Sequence, residues 1–243
     1  MNDQKIQQLY RDDAPKYDRE RFAGRQGQLL NQHQSAALLK ALSGIQKNAP
    51  ILEVGCGTGR FLEFLEHQGF TDLTGVDQSP EMLVEAAKKT RAQLVPGDVY
   101  RLPFGAGSFS AVFSIHVIMH LQRPATALRE MSRVSRKRII VDMNNLLSLS
   151  AASSIVRHGQ NAWRRLRGRP AVATAPNQFR FRQFVSMVPE AELQQKIMSY
   201  PLPLTGPMPG IYLKHYQRLA NRLGPLVAPN WASQYLLVFQ KSK

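Results

Sequence analysis

The sequence is poor in cysteine and has no long apolar run. Cys56 is the only cysteine among 243 residues, so no disulfide can form within the chain. No apolar run approaches the roughly 20 residues that a membrane-spanning helix requires. The first residues, 1–5, also lack the basic-then-apolar order of a signal peptide. These absences together predict a cytoplasmic protein.

Acidic residues are also scarce. The chain has 17 Asp and Glu against 32 Lys and Arg, which gives a formal net charge of +15. Residues 1–144 contain 19 basic and 15 acidic residues, whereas residues 145–243 contain 13 basic and 2 acidic residues. Such a surface favours an anionic partner, namely a nucleic acid, an acidic membrane or an anionic substrate, although a purely solubilising surface explains it equally well.

Strand-like and helix-like segments alternate through the first two thirds of the chain. Strands are predicted at 49–54, 72–76, 92–95, 109–115, 138–142 and 234–239, and helices at 59–68, from 79, and at 125–134. This alternation predicts a parallel sheet with helices on both faces. Sheets of this kind bind ligands at the carboxyl ends of their strands, where the glycines and polar residues of this sequence fall.

A glycine-rich loop follows the first strand, in the segment Glu53-Val54-Gly55-Cys56-Gly57-Thr58-Gly59. Glycines at alternate positions let the backbone turn tightly and approach a ligand closely. Alone the loop does not separate a methyl donor from a nicotinamide, because dinucleotide enzymes use a related loop. Asp77 follows the second strand, 22 residues after Gly55, where a carboxylate can accept hydrogen bonds from ribose hydroxyls.

Four segments in order resemble the class I S-adenosylmethionine-dependent methyltransferases, in particular the type 11 small-molecule group that includes quinone-biosynthesis enzymes. The segments are E-V-G-C-G-T-G-R (53–60), G-V-D-Q-S-P-E-M-L (75–83), G-D-V-Y-R-L-P-F (97–104) and S-F-S-A-V-F-S-I-H-V-I-M-H-L (108–121). The resemblance implies a Rossmann-like three-layer α/β sandwich with a mostly parallel seven-stranded sheet, and S-adenosyl-L-methionine as cofactor.

The expected organisation has four parts. Residues 1–45 form an N-terminal helical segment, 46–144 the S-adenosylmethionine-binding core, 145–230 a basic acceptor-side cap with the remaining core helices, and 231–243 the closing strand of the sheet. The cap is expected as an insertion after the fifth strand.

The resemblance also assigns cofactor-binding roles by position. The implied residues are Tyr17, Glu53, Gly55, Cys56, Gly57, Gly59, Asp77, Gln78, Ser79, Met82, Gly97, Asp98, Val99 and Ile115. Glu53 and the glycines would hold the methionine part, and Asp77 the ribose hydroxyls. Asp98 would accept from the adenine amino group through a buried hydrogen bond. Tyr17 either closes over the cofactor or is a surface aromatic.

Two histidines after the fourth strand are the candidate catalytic residues. A hydroxyl acceptor needs a base of near-neutral pKa, for which His116 and His120 are placed; on a helix they would share one face. Packing alone also explains His120, and a carbon or amine acceptor needs neither base. Ile115 stands where metal-assisted methylation would require an acid, so no metal is expected.

The segment 146–169 combines apolar residues at helical spacing with five arginines. It is compatible with a lid over an apolar acceptor, with peripheral contact to an anionic membrane, and with a helix that exposes its arginines to water. The sequence thus favours methyl transfer to an oxygen, carbon or nitrogen of a small apolar or anionic acceptor. An RNA methyltransferase, a non-catalytic S-adenosylmethionine-binding module and a nicotinamide dehydrogenase are the alternatives, and nucleic acid is the less favoured partner.

Overall fold

The computed structural model describes residues 14–144, 181–188, 191–200, 215 and 234–241. Two helices precede the sheet, α1 (Tyr17–Phe22) after a 3₁₀ turn at Ala14–Lys16, and α2 (Arg25–Ala41). Strands and helices then alternate: β1 (Ile51–Val54), α3 (Arg60–His67), β2 (Leu73–Asp77), α4 (Pro80–Ala87), β3 (Gln93–Pro96), β4 (Phe109–Ser114), a 3₁₀ turn (Ile118–His120), α5 (Pro124–Val134) and β5 (Ser135–Asn144). The last described elements are α6 (Phe181–Val185), β6 (Ala191–Tyr200) and β7 (Gln234–Lys241).

The seven strands form one sheet in the order β3-β2-β1-β4-β5-β7-β6. Strands β1 to β5 pair in parallel, and β7 runs antiparallel to both of its neighbours, β5 and β6. The expected Rossmann-like α/β fold with a mostly parallel seven-stranded sheet is therefore confirmed. The strand order reverses between β1 and β4, and parallel sheets of this type bind ligands at such a switch point.

The sheet separates two apolar cores. On one face, Leu52 and Val54 pack with Leu128 of α5 and Phe184 of α6, and all four are buried. On the other face, Ile51 packs with Leu38 of α2 and Leu62 of α3. Because successive side chains of a strand point to opposite faces, β1 contributes to both cores, and all four of its residues are buried. This burial fixes the position of the loop that follows β1.

The helix that follows β2 begins with a side-chain cap. The Ser79 hydroxyl accepts a hydrogen bond from the Met82 backbone N–H at 3.3 Å, and Pro80 occupies the first turn. A capping serine satisfies one of the unpaired N–H groups at a helix start, and a proline there loses no intrahelical bond. The chain therefore leaves β2 at a defined point directly after Asp77.

Strand β6 was not anticipated from the sequence, which predicts an irregular region there. It is an edge strand with exposed Glu192, Gln194 and Gln195, and its register against β7 shifts between Leu193 and Gln195. The shift interrupts the alternation by which a strand is recognised. The 146–169 segment lies outside the described residues. Within the described ranges, no helix is long and apolar enough to cross a bilayer.

Candidate active site

One cavity of about 310 Å³ opens at the carboxyl ends of β1, β2, β3 and β4. Its walls are Tyr17, Val54, Gly55, Gly57, Val76, Asp77, Gln78, Ser79, Met82, Gly97, Asp98, Val99, Tyr100, Ile115, His116, Val117, His120, Leu121 and Arg123. Residues expected to bind the cofactor and both candidate catalytic histidines thus line one continuous space. This size suits a small-molecule site.

The glycine loop turns directly beneath this cavity. The backbone N–H groups of Gly55 and Cys56 both donate to the Val76 carbonyl, at 2.7 and 3.1 Å. Gly55 has φ +72, and a Cβ there would lie 2.4 Å from a methyl carbon of Val117. Gly57 also has positive φ, +52, but a Cβ there would meet nothing within 4 Å. Gly55 is therefore required by the fold, whereas a side chain at Gly57 would enter the cavity.

Asp77 connects the end of β2 to the glycine loop. One carboxylate oxygen accepts from the Gly57 N–H at 2.8 Å, and the other accepts from the Ser79 N–H at 2.9 Å. Burial raises the pKa of Asp77, and the backbone hydrogen bonds from Ser79 and Gly57 oppose that rise. The Gln78 N–H is a further backbone donor to this carboxylate, and a carboxylate offers about four acceptor positions. The carboxylate can therefore order the loop and still accept hydroxyl groups of a ligand.

The end of β3 supplies another wall of the cavity. One Asp98 carboxylate oxygen accepts from the Tyr100 N–H at 2.9 Å, and the Asp98 residue is exposed. The short turn after β3 leaves this carboxylate at the cavity mouth, and its bond to an adenine amino group stays a prediction. The Arg123 guanidinium lies 4.3 Å from the Tyr100 ring centre, an ordinary cation–π distance, and also lines the mouth.

Tyr17 reaches the cavity because α1 is attached to the glycine loop. The neighbouring Asp18 accepts a hydrogen bond from the Thr58 hydroxyl at 2.8 Å and forms an ion pair with Lys89. Lys89 also donates to the Thr58 carbonyl at 3.0 Å. Burial raises the pKa of Tyr17, while the charge of Arg21 opposes the rise. The structure thus places Tyr17 over the cavity rather than on the outer surface.

His116 follows β4 with a left-handed backbone, φ +65. Its backbone N–H donates to one Asp142 carboxylate oxygen at 3.0 Å, and its Nδ1 lies 3.6 Å from the other. Its Nε2 contacts the side-chain amide nitrogen of Gln34. Burial and, to a smaller extent, the charges of Arg60, His120 and Arg21 together lower the pKa of His116 to about 3.

His120 lies at the same end of the cavity, but not on a helix shared with His116. His116 lies in a bend at 115–117, whereas His120 lies in the 3₁₀ turn at Ile118–His120 that follows. Burial lowers the pKa of His120, and Arg21 contributes to the same shift. The two histidines therefore converge through the bend and not through one helical face.

Three of the expected cofactor residues lie behind the cavity wall. Glu53 faces the α2–α3 side of the sheet and is 2% exposed, and burial raises its pKa well above the ordinary value. Cys56 is buried against the sheet, and burial likewise raises its thiol pKa, which argues against a nucleophile. Gly59 starts α3, where a Cβ would lie 3.0 Å from Ala86. These residues shape the loop from behind.

The sequence does not predict several residues of the site. The additional wall residues are Val54, Val76, Tyr100, Val117, Leu121 and Arg123. In the sequence, the apolar residues among them have the pattern of core residues. Only their position beside a motif indicated a place in the site. Gln34, on α2, and Gln234, on β7, reach the site from 82 and 118 residues away from His116 along the chain, so no local pattern could reveal them.

Residues 52–140 match the family model described as a methyltransferase domain. This match covers β1 to the middle of β5, the part of the chain that carries the glycine loop, Asp77 and Asp98. This part of the chain is therefore a methyltransferase domain of the class I S-adenosylmethionine-dependent type. Its cofactor is S-adenosyl-L-methionine.

Similar proteins support this family and this fold. The chain is 31% identical over 170 residues to malonyl-[acyl-carrier protein] O-methyltransferase from Pectobacterium atrosepticum, covering 69% of this chain and 61% of that protein. It is 32% identical over 99 residues to a tRNA (carboxymethyluridine(34)-5-O)-methyltransferase from Xenopus tropicalis, covering 40% of this chain and 15% of that protein. The chain thus spans less than two thirds of either relative.

A solved structure extends the likeness in fold to almost the whole chain. Magnesium protoporphyrin IX methyltransferase from Synechocystis PCC 6803, determined with bound SAH, superposes with a TM-score of 0.68 at 14% identity. The superposition covers 99% of this chain and 100% of that one. At this identity the likeness concerns the fold.

The residues of the cavity fit S-adenosylmethionine. The open side of Gly57 leaves room for a ligand against the backbone, and Asp77 offers lone pairs to ribose hydroxyls. Behind the loop, one Glu53 carboxylate oxygen is buried without a hydrogen-bond partner, so an acceptor is available there. Among the described residues, no group of three His, Cys, Asp or Glu is arranged to hold a metal ion.

Proposed function

We propose that the chain transfers a methyl group from S-adenosyl-L-methionine to a carboxylate oxygen of a small anionic acceptor. The observation that carries the proposal is the division of this cavity into two chemically different ends. Asp77 and Asp98 line the end beneath β2 and β3, whereas His116, His120, Val117 and Leu121 line the end after β4. The first end suits the cofactor, and the second suits an acceptor.

The electrostatics of the acceptor end favour an anion. Arg21 lies near this end without lining the cavity: its guanidinium lies 4.6 Å from the Tyr17 ring centre, and its charge lowers the pKa values of His116 and His120. Arg21 is exposed, so its donors can reach a ligand. A guanidinium binds a carboxylate through two parallel hydrogen bonds, which also fix the orientation of the acceptor.

A carboxylate acceptor also matches the chemistry of this end. A carboxyl group is ionised at neutral pH, so it is already a nucleophile and no base has to remove a proton. Bound S-adenosylmethionine supplies an electrophilic methyl group. The chain then has to align the acceptor and exclude water, which the apolar walls at Val117 and Leu121 and the ring of Tyr17 can do.

The relatives support an acid as acceptor. Malonyl groups and carboxymethyluridine, named in the two curated relatives, both carry a carboxylate. A second candidate, methylation of RNA, draws on the tRNA named in the second relative and on the net charge of +15. The small acceptor is the better supported, because the cavity of about 310 Å³ has the size of a small-molecule site.

The test uses methyl-labelled S-adenosylmethionine with separated pools of small carboxylic acids, neutral small molecules and RNA. We expect label in the acid pool, released as volatile methanol by mild alkali, because methyl esters hydrolyse whereas ethers and methylamines do not. Alkali-stable label would overturn the carboxylate assignment. Label in RNA alone would support the second candidate, and the absence of product from every pool, with cofactor and demethylated cofactor bound equally well, would support a binding module.

A matched pair of variants tests recognition of the acid. Arg21→Gln should raise the KM for the acceptor about 10-fold or more, because a charge-assisted hydrogen bond is lost. Arg19→Gln removes the same charge from another exposed position of α1 and should leave that KM unchanged. Affinity for the demethylated cofactor should be equal in both variants. Equal acceptor KM values in the two variants would remove Arg21 from the proposal.

A further inference from the structure

Four side chains, from α2, β5, β7 and the bend after β4, form a ring of contacts behind the acceptor end. Gln34 of α2 contacts the His116 ring, and its amide nitrogen also donates to the Gln234 side-chain oxygen at 3.3 Å. The Gln234 amide donates to Asp142 at 2.6 Å, and the same Asp142 oxygen lies 3.6 Å from His116 Nδ1. Gln34, Gln234 and Asp142 are 0%, 3% and 1% exposed.

Arg60 fixes the direction of the hydrogen bonds around this ring. Its guanidinium approaches the other atom of the Gln34 amide at 3.2 Å. A guanidinium can only donate, so that atom is the carbonyl oxygen, and the Gln34 NH₂ group faces His116 and Gln234. His116 Nε2 must then accept. The neutral ring consequently carries its proton on Nδ1, which faces the Asp142 carboxylate.

We infer that Gln34, Gln234 and Asp142 are positioning residues that hold His116 neutral with its proton on Nδ1, so that His116 is a wall of the acceptor site and not its general base. The functional meaning of this inference rests on the proposed methyl transfer. The contacts among the four side chains do not depend on the acceptor. Both nitrogens of the imidazole face protein groups. An acceptor hydroxyl could reach a lone pair only by displacing Gln34.

The backbone of His116 is held by the same group of residues. A left-handed conformation is uncommon for a residue with a side chain, and such a conformation persists when the surroundings hold it. Here the second Asp142 oxygen accepts the His116 backbone N–H at 3.0 Å. Asp142 therefore holds the His116 backbone by a hydrogen bond, and its other oxygen faces the imidazole Nδ1 at 3.6 Å.

The charged groups around the imidazole of His116 oppose its protonation to the cationic form. Arg60 of α3, Arg21 of α1 and His120 of the 3₁₀ turn all act on this imidazole in that sense. Asp142 of β5 faces the same imidazole, and burial raises the pKa of its carboxyl to about 7. Together these groups keep His116 uncharged. An acceptor carboxylate that is already ionised needs no base, so such a histidine is compatible with it.

The test is the protonation state of His116, read by ¹⁵N NMR of the imidazole nitrogens in the full chain. We expect a protonated Nδ1, an unprotonated Nε2, and no titration of this ring between pH 5 and 8. A proton on Nε2, or titration near pH 6.5, would overturn the inference. This readout requires no methyl acceptor, so it stands or fails separately from the proposed activity.

A charge-converting variant makes the test sharper. Gln34→Glu replaces the NH₂ donor by an acceptor, so His116 should take a proton on Nε2 and its pKa should rise by about 1–3 units. Gln32→Glu introduces the same charge on an exposed position of α2 and should leave the His116 signals unchanged. Equal His116 shifts in the two variants would contradict the direct contact. If Gln34→Glu does not fold, the wild-type tautomer alone decides.

The same variant separates positioning from a merely structural role. With an ionised acid as acceptor, we expect a flat pH profile of kcat in the wild type between pH 6 and 8, and a new ionisation in that profile for Gln34→Glu. Thermal unfolding of both variants identifies general destabilisation. A wild-type profile that rises with an apparent pKa near 6.5 and follows the His116 NMR titration would identify His116 as the base.

Discussion

Replacement of Asp77 by Asn tests the centre of the cofactor site with almost no change of shape. The carboxylate accepts two backbone N–H groups, from Gly57 at 2.8 Å and from Ser79 at 2.9 Å, one on each oxygen. An amide has one oxygen and one NH₂ group, so it can accept only one of them. The other backbone N–H then faces a donor, and either the loop or the start of α4 must shift.

The size of the effect follows from this count. A hydrogen bond to a charged group contributes about 1.5–3 kcal/mol, and each 1.4 kcal/mol corresponds to a factor of ten in binding. One lost bond at the glycine loop should therefore weaken cofactor affinity about 10- to 100-fold, with a further loss because ribose hydroxyls no longer find a carboxylate.

The assay is isothermal titration with S-adenosylhomocysteine, with thermal unfolding as the test of folding. The matched control is Asp98→Asn, since Asp98 is exposed and accepts one backbone bond, from Tyr100 at 2.9 Å, which an amide oxygen can keep. We expect a loss of about 10-fold or less in that control. A folded Asp77→Asn variant with wild-type affinity would refute the reasoning about the loop.

Three further predictions concern packing, pH and metals. Gly75→Ala should destabilise the fold by about 1–3 kcal/mol in denaturant unfolding, because its Cβ would lie 2.6 Å from a Leu62 methyl carbon, whereas Gly24→Ala, with nothing within 4 Å, should be near neutral. Asp142 has a raised folded pKa, about 7, so its term makes stability fall as pH rises from about 4 to 7. His116 has a lowered one, about 3, so its term makes stability rise from pH 3 to 6.5. Relative to wild type, Asp142→Asn should therefore gain stability with rising pH over 4–6.5, by up to about 1.4 kcal/mol per pH unit, and an unchanged slope would contradict this. Methyl transfer should continue in EDTA, and restoration of a chelator-sensitive activity by Mg²⁺ would contradict the absence of a metal requirement.

Much of the cofactor site was accessible from the sequence because it is local. The loop from Gly55 to Gly59 follows a four-residue buried strand, and the strand's burial on both faces is visible as an apolar run. Asp77 and Asp98 each end a strand, and parallel strands bring their carboxyl ends to one edge of the sheet. Residue types and spacing were therefore sufficient to predict which side chains gather there.

Residue spacing could not show which way a side chain points or how exposed it is. Strand alternation turns the Glu53 side chain toward α2 and α3, behind the glycine loop. The turn after β3 places the Asp98 carboxylate at the exposed mouth of the cavity. The edge strand β6 was missed because a register shift between Leu193 and Gln195 breaks the alternating pattern. For Glu53 and for β6, an offset of one residue turns a side chain to the opposite face of the sheet.

The sequence by itself determined the alternating α/β order, the glycine loop and the acids that end the strands, because these depend on neighbours within a few residues. The tertiary structure decided the chemistry of the acceptor end. His116 could be named as a candidate base from its position after the fourth strand, but its partners come from α2, β5 and β7. Only the packing of α2 and β7 against the sheet brings Gln34 and Gln234 to it, and the donor-only guanidinium of Arg60 then fixes which nitrogen of His116 carries the proton.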